Sequence, residues 1–290
     1  MSEIYFTPYK VSTITCNANI GENLSIDLSI LYDNIDPKDE NNSIMWIQNL
    51  KDNNEFVKGY YPKKIRKSKK KNNKKKNRFD NQITIIFKIN SEYKPNIKIF
   101  KNGNIQLTGI KNVKDTEMIA NIIIDIIKDV YSNDKKIDLS ENNDFIKNLK
   151  YCNFKIRMIN TDFKTYTDKD LTEKFSIKRK ELHNILVSEK YNNKSSFQPG
   201  IYQGVKLEYY YNNTNNCGIC NCNTHIFNKN NLIDDINYCK KVTVAIFESG
   251  SILITGGVSF DQVDKAYNYI TNVIKDNSKN IKKPKICIPD

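Results

Sequence analysis

Apolar and polar residues alternate with a period of two over "IKIFKNGNIQLTG" (97–109) and again over "VAIFESGSILITG" (244–256), segments that align without a gap 147 positions apart. Such alternation predicts half-buried strands, and the central Gly103 or Gly250 divides each segment into a hairpin. After the terminal Thr-Gly the period changes to 3.6. Ile119, Ile123, Ile126 and Ile127 then share one helical face and fall opposite Ala266, Ile270, Val273 and Ile274 of the second copy. Ser259 and Gln262 stand at capping-box spacing, with Asn112 the matching cap candidate.

Alternation also sorts the hairpin residues between two faces. Ile97, Ile99, Ile105 and Leu107, like Val244, Ile246, Ile252 and Ile254, are predicted to lie under the helix. Lys98, Phe100, Gln106 and Thr108, like Ala245, Phe247, Leu253 and Thr255, point the other way. A phenylalanine and a threonine thus face away from the helix in both copies. With helices for one side only, that face must meet solvent, another layer or a partner, and exposed aromatic surface favours a partner.

Further strands are predicted at "VSTIT", "FDNQITIIFKI", "NFKIRMINTDFKTYTDKDL" and "IYQGVKLEYYY", with a helix at "SIKRKELHNILVSE". The inferred unit is strand, helix, four more strands and a long helix, occurring twice. This α+β organisation assigns residues 1–135 and 150–277 to two repeats, joined by the polar "SNDKKIDLSENND" and followed by a basic tail at 278–290.

No apolar run approaches the roughly 20 residues of a membrane span. "MSEIYFTPYK" lacks the basic cap and apolar stretch of a secretory signal, so a soluble intracellular protein without a membrane partner is expected. Of the formal charge of +13, residues 63–78, "KKIRKSKKKNNKKKNR", carry +11 with no acid. Such a block reads either as a solubilising or nuclear-localisation tract or as an arm that follows phosphates. Of seven cysteines, Cys217, Cys220, Cys222 and Cys239 cluster with His225 in an insertion at 211–241. One CxxC plus a thiol two residues on can share one structural tetrahedral zinc, closed by His225 or Cys239. A second CxxC is missing, and an Asn-rich loop with incidental cysteines is the other reading. Enzymatic readings find little support: His183 and His225 are the only histidines, and acidic pairs such as Asp234 and Asp235 have no metal-binding partner set.

The two hairpin segments resemble the TATA-box-binding protein family, whose duplicated unit carries "LIF-x-S-G-K-hydrophobic-x-x-T-G", matched here by "KIFKNGNIQLTG" and "AIFESGSILITG". "FQPGIYQGVKL" (197–207) also resembles the family's "Y-E-P-E-L-F-P-G-L-I-Y", keeping Pro199 and Gly204. Most of the chain is covered, but only the hairpin motifs are specific. The resemblance implies a duplicated saddle, with an antiparallel sheet on the DNA minor groove, helices on the convex face and two aromatic wedges per half. Phe100 and Phe247 match one wedge in each half. Tyr202 matches the other wedge of the second half, with a hydroxyl added and Gln203 replacing proline; Phe79 is its counterpart in the first, with Ile65 a rival through "YYPKKI". Thr108 and Thr255 match threonines of the groove floor, Leu253 lies in the same face, and Val11 and Ile156 match aliphatics of the first strands. The lysine tract falls at the stirrup loop, where Lys69, Lys70, Lys71, Lys74, Lys75 and Lys76 would follow phosphates.

Departures from the family pattern lie mainly in the first half. Lys98 and Gln106 replace aliphatic contacts, and the family's central asparagines align with Tyr9 and Phe154, Asn153 being one position away. What the resemblance implies is a non-enzymatic general transcription initiation factor. It would bind double-stranded DNA as a monomer, bend the promoter and recruit a factor-IIB-like protein and RNA polymerase. The family's factor-IIB contact "E-P-E-L-F" reads "Q-P-G-I-Y" at 198–202. Abundant Lys, Asn and Ile fit an AT-rich genome such as that of a large DNA virus. The expected location is therefore the nucleus or a cytoplasmic viral replication compartment. The alternative, to which Lys98, Gln106 and Tyr9 lean, is a protein-interaction adaptor that keeps the saddle with weak or no specific DNA binding.

Overall fold

The strands that alternation predicts are formed, and they belong to two units: Ile14–Ile156, here the first unit, and Met1–Thr13 with Arg157–Asp290, the second. The computed structural model describes residues 4–22, 24–37, 43–51, 54–61, 81–133, 139–212, 217–220 and 239–284. Among them no helix is long and apolar enough to cross a membrane.

The N-terminus supplies β1 (Tyr5–Phe6), in the second unit, and β2 (Lys10–Gly21), most of which lies in the first. The first unit continues with α1 (Leu28–Asn34), β3 (Ile44–Lys51), β4 (Asn54–Gly59), β5 (Gln82–Phe87), β6 (Asn96–Phe100), β7 (Asn104–Ile110), α2 (Lys114–Asn133) and α3 (Leu139–Asn148). Its strands run antiparallel in the order β4-β3-β5-β6-β7-β2. Period 3.6 along α2 buries Ile119, Ile123 and Ile127 on the side of β7, and the hairpin residues Ile97, Ile99, Ile105 and Leu107 are buried as well. Ile124 is buried with them, whereas Ile126, counted on this face by spacing, is half-buried.

β8 (Leu149–Tyr166) leads into the second unit, followed by α4 (Arg179–Val187), β9 (Lys194–Gln198), β10 (Tyr202–Tyr211), β11 (Lys240–Ile246), β12 (Ser251–Gly257), α5 (Phe260–Asp276) and α6 (Ser278–Ile281). The antiparallel order here is β8-β12-β11-β10-β9, with β1 on β8. Val244, Ile246, Ile252 and Ile254 are fully buried, as are Val263, Ala266, Ile270 and Ile274 of α5. Each buried branched aliphatic contributes about 1.5–3 kcal/mol relative to exposure. Ser259 caps α5 by accepting from the Gln262 amide at 3.3 Å, and Gln262 Oε1 accepts from the Val258 amide at 2.8 Å. Loss of such a cap costs about 1 kcal/mol.

The repeated glycines have a geometric cause. Gly103 and Gly250 sit in the hairpin turns at φ +78° and +76°, where a Cβ on Gly250 would lie 2.3 Å from Thr165 Oγ1. Gly109 and Gly256, at φ +87° and +91°, lie where the pairing with β2 and with β8 shifts by one residue. The Thr-Gly motif is therefore a bulge through which the strand continues.

Four expectations are corrected. Among the described residues five strands lie between α1 and α2, because the short segment Asn54–Gly59 pairs with β3 as an edge strand. The joining segment contains α3, whose Phe145 stacks on Tyr131 of α2 at 4.4 Å; its sparse apolar residues gave no period. The N-terminal residues, assigned to the first repeat, pack in the second unit, where Thr7 bonds Lys164 and Tyr267 and Phe6 meets Phe163. The expected tail at 278–290 is docked over 278–284. Ser278 and Ile281 are buried, and Ile281 O accepts from the Lys178 amide at 2.7 Å.

Candidate nucleic-acid interface

In the second unit the sheet face opposite α5 carries the predicted aromatic residues. Alternation puts Phe247 just beyond the end of β11, one pleat after Ala245, and Tyr202 opens β10. Their ring centroids are 5.8 Å apart and their planes tilted by 59°. Both rings are half-buried. Gly204 lies beneath them: a Cβ there would come within 2.9 Å of Tyr202 Cε1 and 3.2 Å of Phe247 Cε1. The absent side chain makes the slot in which the two rings meet. Lys206 Nζ stands 4.3 Å from the Tyr202 ring centroid, a cation over a π face.

Cross-strand register extends this surface. Lys206, Ala245, Leu253 and Asp162 form one row, and Glu208, Thr243, Thr255 and Asn160 the next. Glu208 is not a bare acid: it accepts from Tyr210 OH at 2.8 Å and pairs with Lys194 at 3.1 Å and Lys241 at 3.4 Å. Burial would raise its pKa, but these partners outweigh it and hold the carboxyl below its ordinary range.

Arg179, at the start of α4, fixes the pair from behind. Its guanidinium donates to the Gln203 carbonyl, to Gln203 Oε1 at 3.1 Å and to Glu248 Oε2 at 2.8 Å. Gln203 and Glu248 directly follow Tyr202 and Phe247, so one planar fork links the Gln203 backbone to the Glu248 carboxylate, the residues next to the two rings. Glu248 also pairs with Lys283 of the docked C-terminal segment at 2.5 Å, and Lys283 followed by Arg179 holds its carboxyl below the usual range.

In the first unit Phe100 ends β6 on the face away from α2, half-buried and paired with Gln82. Thr108 is exposed between Thr15 and Asn96. Lys98 and Gln106 face each other across β6 and β7. Phe79, its rival Ile65, and the lysines at 69–71 and 74–76 lie outside the described residues. Val11 on β2 and Ile156 on β8 are half-buried and belong to different units.

Tyr9 is turned toward α5. Its hydroxyl donates to Asp264 of α5 at 2.6 Å, tying it to the helix side, and burial with that carboxylate pushes its pKa to about 12. Phe154 is half-buried near Tyr151, and Asn153 adopts φ +54°. His183 shares a 3.0 Å hydrogen bond with Ser195, linking α4 to β9.

Of the cysteine cluster, Cys239 is buried and its sulfur accepts from Asn212 at 3.3 Å, while Cys217 is exposed and Cys220 half-buried. Gly218 lies against the Tyr209 ring, and its carbonyl accepts from the Tyr210 amide at 2.9 Å. Cys222 and His225 lie outside the described residues, and among those described no three ligating side chains gather.

Sequence reasoning missed Ile201, which is 84% exposed at the turn preceding Tyr202. An aliphatic residue directly after Pro-Gly, at a turn tip with no core to enter, was the available signal. It also missed Arg179, whose partners lie 24 and 69 residues away and leave no local pattern.

Comparison with known proteins gives three findings. A family model described as "Transcription factor TFIID (or TATA-binding protein, TBP)" matches residues 182–277. A "TATA-box-binding protein-like" protein of Acanthamoeba polyphaga mimivirus is 30% identical over 285 residues, covering 94% of this chain. The chain spans 66% of that relative's length, just under two thirds. The solved structure titled "Methanococcus jannaschii TBP" superposes with a TM-score of 0.46 at 18% identity, covering 93% of this chain and 99% of the other.

Proposed function

The chain belongs to the TATA-box-binding protein family, and on that premise we propose that it is a transcription initiation factor that binds promoter DNA in the minor groove and bends it. The observation that carries the reading is the Tyr202–Phe247 pair on the sheet face opposite α5, beside the exposed Ile201. A wedge between base steps needs an apolar ring that is accessible before binding and held firmly enough to unstack its target. The open face and the Arg179 fork meet those two needs. Phe100 supplies the corresponding ring in the first unit, and the likeness of the two hairpins is read as a duplication. The lysine tract adds phosphate contacts that strengthen binding without reading sequence.

In this reading binding alone does the work, and the bent complex recruits a factor-IIB-like protein and RNA polymerase in the nucleus or in a viral replication compartment. For the cysteine loop we propose a structural zinc that closes the hairpin between β10 and β11. The polar Lys98 and Gln106 favour a second reading, an adaptor that keeps the fold without specific DNA binding. A mobility-shift series on AT-rich and GC-rich duplexes at several salt concentrations separates the two. The proposal expects a retarded complex at low salt; no complex on any duplex would favour the adaptor.

A further inference from the structure

The first unit presents, away from α2, two adjacent rows of polar side chains whose register is set by four antiparallel strands. Asn17, Gln106, Lys98 and Thr84 stand side by side across β2, β7, β6 and β5, with Thr15 and Thr108 in the next row. Among the described residues the side chains of Gln106, Lys98 and Thr108 make no internal hydrogen bond or ion pair. Among the described residues the Asn17 side-chain oxygen is a buried acceptor with no partner. On the matching strands of the second unit the positions of Lys98 and Gln106 are Ala245 and Leu253, and the charged members of that row, Lys206 and Asp162, stand on the flanking strands.

The chemistry of the minor groove gives this difference a consequence. An A·T pair shows only acceptors there, whereas a G·C pair adds the guanine amino donor. Pressed against an aliphatic surface, that donor loses water and gains no partner, which costs about tenfold in affinity or more. Gln106 and Thr108 each offer an acceptor, while Lys98 and the Gln106 amide N–H groups offer donors to the purine N3 and pyrimidine O2. We propose that Gln106 and Lys98 are specificity-determining residues which make the half-site under the first unit tolerant of G·C pairs. The inference rests on the minor-groove reading above and adds to it which bases are accepted. The protein would then recognise an asymmetric site, one half restricted to A·T and the other mixed.

The test measures affinity for duplexes of about 30 base pairs, A·T throughout or with two G·C pairs in one half at a time. The full chain is compared with the double variant Lys98→Ala, Gln106→Leu, which gives the first unit the chemistry of Ala245 and Leu253. Both substitutions are in surface positions, and equal thermal midpoints verify the fold. Expected is a loss of less than about threefold when G·C enters one particular half of the site for the wild-type chain. The double variant should lose about tenfold on that same duplex relative to its own affinity for the A·T duplex, whatever the general loss from removing the Lys98 charge. Equal responses of the two proteins to G·C in both halves would overturn the inference and leave minor-groove binding standing. Failure of both proteins to bind any duplex at low salt would remove the DNA reading itself.

Discussion

Tyr202 and Phe247 meet at 5.8 Å over the bare backbone of Gly204, so the spacing of the aromatic pair is set by an atom that is missing. Adding a methyl group there drives it toward the far edges of both rings while leaving a compatible backbone. Gly204→Ala is expected to change stability by no more than about 1 kcal/mol, since reduced unfolded-state entropy offsets the ring displacement. DNA bending should nevertheless diminish, measured by energy transfer between end-labelled duplexes. Unchanged bending with unchanged stability would mean that the slot does not position the pair.

Arg179 is the second determinant of that geometry. Its side chain is only 18% exposed and its fork spans Gln203 and Glu248. Glu248 is itself well hydrated, so the ion pair contributes about 1 kcal/mol or less to stability. Arg179→Ala should therefore lower the melting temperature modestly but reduce bending more than affinity, because phosphate binding does not depend on the fork. Arg179→Lys should fail to restore bending, as an ammonium cannot span both partners. Restoration by lysine would show that only charge matters.

Residues 63–78 are expected to act through phosphates. Deleting them should flatten the slope of log affinity against log salt by roughly 0.9 for each phosphate the tract neutralises. Binding to all sequences should weaken alike. A slope identical to that of the intact chain would place the tract off the DNA.

For the cysteine loop, protein purified without chelator should contain about one zinc per chain. Removal of the metal should lower the melting temperature, because the site would close the hairpin between β10 and β11. Thiols intact by titration with no bound metal would remove the zinc and leave incidental cysteines.

How far the chain could be read without coordinates follows from the range of the interactions involved. Period two alone assigned Ile97, Ile99, Val244 and Ile246 to the helix side and left Phe100 and Phe247 outside it, since each decision depends on neighbours two residues away. The cap at Ser259 was legible for the same reason. The Thr-Gly motif was visible as a repeat, but its role as a bulge depends on register with β2 and β8, strands far away in sequence. Long-range partnerships left no local mark: Tyr9 with Asp264, Thr7 with Tyr267, Arg179 with Glu248. β4 was missed because "NEFVKG" is short and its Phe56 and Val57 stand side by side rather than alternating with polar residues, both exposed on an edge.

The central claim is that accessible rings on the sheet faces opposite α2 and α5 kink DNA, and bending by Phe100→Ala with Phe247→Ala tests it most directly. Neither ring belongs to the buried core, so the double variant should keep its cooperative melt. The account predicts that energy transfer between the ends of a bound duplex falls to the value of straight DNA, with residual salt-sensitive binding. A folded double variant that bends DNA as strongly as the wild-type chain would contradict it.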